Sequence, residues 1–173
     1  YSGGVKRLSS ASTRVQGNRD LMFFSTEMTI SGNAPNRLNV VLKHRLTEIT
    51  TTINASGVGK KIKSIDSSFS PNYSQASINL ETGVVTHQGG LGVSNTVLEN
   101  LDVSTLTFKT MVNAAENNTT LFRINNMSIG FQSQSNIVFA QNLNVKPGVR
   151  YNLNITLSTA DAFIPTPTFQ QRV

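Results

Sequence analysis

The chain has 173 residues, 38% of them hydrophobic, and carries a net charge of +6 from fifteen basic and nine acidic side chains. That length suits one domain, or one domain with long arms. The absence of cysteine excludes disulfide frameworks, thiolate zinc sites and cysteine nucleophiles, and no apolar run approaches the roughly 20 residues that a membrane helix needs.

In chain order, residues 1–19 (YSGGVKRLSSASTRVQGNR) are polar, basic and rich in Gly and Ser, which predicts a flexible arm or a surface strand with loops. The chain begins at Tyr1 without methionine, so targeting information is expected to lie upstream. DLMFFSTEMTI, Asp20 to Ile30, predicts a strand, and SGNAPNR carries the Gly, Asn and Pro chemistry of a turn. The longest strand signal is LNVVLKHRLTEITTTI, Leu38 to Ile53. Leu38, Val40, Leu42, His44 and Leu46 share one parity, whereas Ile49 and Ile53 fall on the other. A bulge or break is therefore expected between Arg45 and Glu48.

Beyond the GVGKK turn, strands are predicted at 62–69, 74–80, 83–89, 105–112, 120–131, 136–143 and 149–158. Their separators are PNY, ETG, QGGLG, NAAENN, QSQS and VKPG, with LENLD as a turn of helix. In the last strand Tyr151, Leu153, Ile155 and Leu157 alternate with polar residues. Seven or more short strands at this spacing predict an all-β fold, an antiparallel β-sandwich, over residues 20–159. The tail, residues 160–173, holds Pro165 and Pro167 and reads as an extended arm rather than a central strand.

Chemistry-bearing motifs are scarce. The only histidines, His44 and His87, lie on different segments without HxH or HExxH spacing, and the acidic residues are scattered singly. Glu99 and Asp102, three apart, are equally what a capped helical turn would show. There is no GxSxG elbow, and GVGKK lacks the full phosphate-loop pattern. The expectation is therefore no enzyme, no cofactor and no metal. The basic clusters VKRLSSASTR and GKKIK lack interleaved aromatics, so no nucleic-acid partner is expected. His44 reads as a structural histidine at the core or its rim, donating to a backbone carbonyl with its other nitrogen on a hydroxyl. His87, next to a glycine pair, reads as a solvated turn residue. The Asn-x-Ser/Thr sequons are what an Asn- and Thr-rich composition produces by chance.

Three segments together resemble the fimbrillin-like proteins of the Bacteroidetes, the subunits of type V pili and their surface-lipoprotein relatives. They are DLMFF followed by LNVVLKHRLTEITTTI, then INLETGVVT, then VKPGVRYNLNITL, and in order they cover about residues 20–158. The resemblance implies a transthyretin-like sandwich of Greek-key type, exported to the cell surface and anchored to the membrane by lipid on the precursor. It also implies assembly with other copies or related pilus subunits. Cleavage after an arginine (Arg7, Arg14 and Arg19 precede the first strong strand) would open a groove that a neighbour's strand fills. The tail would be the donated strand, anchored by Phe163, Ile164 and Phe169, although its prolines remove backbone donors. The chain departs from the family in having no cysteine to carry lipid, no tryptophan-bearing last strand, and room for little more than one of the usual two domains. The expected function is thus a structural subunit of a surface fimbria. The alternatives are a non-polymerising surface lipoprotein or adhesin that binds a host or bacterial ligand through its end loops, and a viral structural protein.

Overall fold

A computed structural model describes residues 12–15, 19–115, 118–158 and 166–172. Among these the architecture is all-β, in two packed sheets and a small two-stranded ribbon. The first sheet is built on β5 (Ile62–Asn79). One edge of β5 pairs with β6 (Val85–Leu98). Its other edge pairs with β8 (Asn118–Ile129) and, further along, with the short β1 (Ser12–Val15). β9 (Gln132–Val145) continues the sheet beyond β8. The second sheet runs β11 (Thr166–Arg172), β10 (Arg150–Thr156), β4 (Thr47–Asn54), β7 (Thr105–Val112). Its pairings are antiparallel except that β10 runs parallel to β4. β2 (Met22–Phe23) and β3 (Lys43–His44) form the ribbon.

The core lies between the two sheets because each contributes one apolar face. β4 and β7 alternate strictly, turning Ile49, Ile53, Leu106, Phe108 and Val112 inward. Tyr151, Leu153, Ile155 and Leu157 are all buried, as their alternation predicts. From the first sheet, Phe69 and Phe122 are fully buried with ring centroids 4.8 Å apart. A smaller apolar cluster of Leu46, Ala76 and Ile78 sits at one end of the sandwich, packed by Leu21, Phe23, Leu80, Val85 and Met111.

Several boundaries differ from the sequence expectation, each for an identifiable reason. The break expected between Arg45 and Glu48 falls at Arg45–Leu46, where β3 gives way to β4. The expected strand start at Leu38 is corrected: Leu38, Val40 and Leu42 are more than half exposed, and residues 24–42 have no strand assignment. Strand residues need a ladder partner as well as the right side chains, and none of the described strands flanks this stretch. The PNY separator lies inside β5, where the register on β6 shifts between Phe69 and Asn72. QGGLG likewise lies inside β6. Gly89 and Gly90 together oppose Ser74, and Gly89 takes φ +80, so the glycines form a bulge instead of ending the strand. The QSQS turn moves earlier, to Gly130–Phe131, because Gly130 at φ +61 supplies the left-handed conformation a two-residue hairpin demands. LENLD forms no helix; Asn100 at φ +56 turns the chain and Leu101 bonds back to Lys63.

Candidate functional site

The segments that carry the sequence motifs meet at one end of the sandwich. Asn79 closes the turn after β5: its Oδ1 accepts from the N–H groups of Glu81 and Thr82, and Gly83 N–H donates to Asn79 O. Gly83 takes φ +69, and a side chain there would also strike Phe23 and stand 2.7 Å from Arg45 Nη2, so both backbone and space call for glycine. In the VKPG turn, Gly148 takes φ +74, and a Cβ would lie 2.5 Å from the carbonyl oxygen of His44. Two glycine turns thus pack closely against His44 and Arg45.

His44 is half-buried at the rim of the core. Its partners are not the carbonyl and hydroxyl expected from sequence but two charged groups. Nδ1 donates to the Asp20 carboxylate, 2.9 and 3.0 Å from its two oxygens, and Nε2 accepts from Arg150 Nη2 at 2.7 Å. A guanidinium has no acceptor, so this geometry assigns the neutral Nδ1–H tautomer. The histidine joins the N-terminal segment to β10.

On the outer face of the second sheet, Glu48, Arg150 and Arg172 stand in one cross-strand row. Glu48 is largely buried and accepts from Arg172 Nη2 at 3.1 Å and Lys109 Nζ at 3.4 Å. Arg150 Nε lies 3.7 Å away, close enough for attraction but too far for a hydrogen bond. One carboxylate therefore serves three cations.

His87 is a correction. It is no solvated turn residue but lies within β6, half-buried and stacked on Tyr73 with centroids 4.9 Å apart. Burial lowers its pKa, partly offset by the Asn113 side chain, although no well-aligned hydrogen bond forms and His87 Nδ1 has no partner. Arg45 lies with its guanidinium 5.3 Å from the centre of the Phe23 ring, and its buried Nε likewise has no partner. Nothing in the sequence singled out Arg45, since its environment is made by three segments distant along the chain.

The other sequence-stated residues are dispersed. Arg14 is exposed on β1, opposite Ser77 of β5, and Arg19 is exposed outside any strand. Arg7, Phe163 and Ile164 lie outside the described residues. Phe169 is on β11, half-buried, and stacks on Tyr151 of the same chain at 4.7 Å and 13°. Asp102 pairs with Lys63, which holds its carboxyl below the ordinary value, and Glu99 does not join it. Among the described residues no three His, Cys, Asp or Glu side chains converge as a metal site would require.

No protein-family model matches the chain, nor does any curated protein. In fold it is similar to two solved structures, from Bacteroides uniformis and Bacteroides ovatus, each named a "putative cell adhesion protein". The first aligns over 77% of this chain with a TM-score of 0.54 and 20% identity. The second aligns over 79% with a TM-score of 0.54 and 13% identity. The chain spans 52% and 46% of their lengths, about half of each. At these identities the likeness is one of fold.

Proposed function

We propose that the protein is a non-enzymatic structural subunit of a bacterial surface fimbria, joined to its neighbours by β-strand addition. The observation that carries this reading is β1. It is a four-residue strand near the N-terminal end of the chain, paired with β5 over Ala76–Asn79 and followed by the exposed Arg19. Backbone in a ladder is shielded from proteases and exposed irregular backbone is not, so of the two described arginines that precede the first strong strand Arg19 is the favoured cut and Arg14 the protected one. Cleavage there would free β1 and open the edge of β5. An open edge is a template for another strand, and the donor on this reading is β11 of a neighbouring subunit. β11 suits the role as an edge strand with Pro167 and a single described aromatic anchor, Phe169. The fold likeness to proteins named for cell adhesion agrees with this reading, as do the exposed apolar side chains of Ile30, Leu38, Val40, Val41 and Leu42.

The test is an SDS gel of protein from native cells, with and without boiling, for wild type and Arg19→Gln. The expected result is an unheated ladder that collapses to one band on boiling and is absent from the variant. A single band from unheated wild type would overturn strand addition. A ladder unchanged in Arg19→Gln would overturn the cleavage site.

One observation favours a second reading, a binding module that does not polymerise. Phe131, at the tip of the β8–β9 hairpin, is 107% exposed, as an aromatic poised for a ligand would be. If this reading holds, Phe131→Ala abolishes cell attachment in a protein that shows no ladder.

A further inference from the structure

We infer that the cavity between the Thr82–Gly83 and Pro147–Gly148 turns is a binding site for a small oxyanion, a carboxylate or phosphate group. The cavity measures about 230 Å³ and opens to solvent. Both histidines of the chain line it, with Arg45, Gly83, Val84 and Pro147.

Arg45 is the recognition group. The residue is half-buried with its Nε out of solvent, and no carboxylate among the described residues pairs with it. A partly desolvated cation without a counter-charge is costly unless something else supplies the charge. Contact with the Phe23 ring satisfies the face of the guanidinium and leaves its edge N–H groups as donors, the fork that matches an oxyanion. Gly83 makes room for that arrangement, because a side chain there would displace both Phe23 and Arg45 Nη2.

The surroundings are biased the same way. Among the described residues, the cations Arg45, Lys109, Arg150 and Arg172 stand near Asp20 and Glu48, and both carboxylates are engaged: Asp20 on His44, Glu48 on Lys109, Arg150 and Arg172. Glu81 is exposed on the neighbouring turn and is not part of the cavity wall. His44 has both ring nitrogens committed, so it fixes the wall. His87 stands across the cavity as a further ring with an unpartnered nitrogen. The site is small enough to take an anionic group or a single acidic sugar.

The experiment titrates the protein with inorganic phosphate, with glucuronate and with neutral glucose at low ionic strength, following amide chemical shifts. Wild type is compared with Arg45→Gln and with Val84→Glu, which places a carboxylate at the mouth of the cavity. Val84 is 58% exposed, so that variant keeps its fold even if Arg45→Gln does not. The expected result is saturable binding of an anion but not of glucose, weakened about tenfold or more in each folded variant and reduced by added salt. Binding of phosphate alone would assign a phosphate site; binding of glucuronate alone would assign a carboxylate site. Either supports the inference. It is overturned if neither anion binds wild type, if glucose binds equally well, or if Val84→Glu binds anions like wild type.

Discussion

The residues of the cavity owe their properties to what surrounds them more than to their own chemistry. His87 is the clearest case. Because burial lowers its pKa below the ordinary 6.5, the folded chain resists a proton that the unfolded chain accepts. The unfolded state therefore binds more protons as pH falls below 6.5, and stability is lost from there down to the lowered folded value. Above 6.5 the residue contributes no pH dependence. His87→Phe keeps a ring against Tyr73 but removes the titration. We expect the drop in urea midpoint between pH 7 and pH 5 to be smaller in this variant than in wild type, read from parallel denaturation curves. An equal drop would mean that His87 is not desolvated in solution. His87 was legible in the sequence only as a histidine near glycines. Its burial follows from its pairing opposite Ala76 in the β5–β6 ladder, which sets its ring against Tyr73.

At the level of elements, β11 is an edge strand, paired on one side only. Its ladder to β10 covers Thr166 to Arg172, but Pro167 donates no hydrogen bond. Side-chain attachment comes from Phe169 on Tyr151 and from Arg172 on Glu48. Phe169→Ala removes a half-buried aromatic and should lower the unfolding free energy by about 1–2 kcal/mol. Arg172→Gln should cost at most about 1 kcal/mol, because the Glu48 carboxylate keeps two other cations beside it and is not left unpaired. Denaturant titration of both variants checks the order. If Arg172→Gln proved the costlier, the charged row and not the aromatic stack would be what fastens the strand. A weakly fastened edge strand is also what exchange between subunits would require, so the same two values bear on the proposed assembly.

For the whole molecule, stability rests on the apolar layer between the sheets. Phe122 is fully buried, against Phe69 on the neighbouring strand. Phe122→Ala should cost about 3–5 kcal/mol, a large part of the about 5–15 kcal/mol typical of a domain. Thermal unfolding followed by circular dichroism should show a single transition shifted sharply downward. Loss of one sheet's signal before the other would show instead that the sheets do not share one cooperative core.

The sequence by itself determined the all-β class, the inward faces of β4 and β10, a break between Arg45 and Glu48, and the Thr-Gly and Pro-Gly turns. These are local matters: side-chain alternation and the conformations open to glycine and proline act over a few residues. Tertiary structure decided the rest. It left Leu38, Val40 and Leu42 without a ladder, carried β5 and β6 through segments that read as turns, and folded the tail onto β10 in place of a free arm. It alone gathered His44, Arg45, Gly83, His87 and Pro147 around one cavity. Strand partners and cavity walls come from residues far apart along the chain, and no pattern within a single segment encodes which of them will meet.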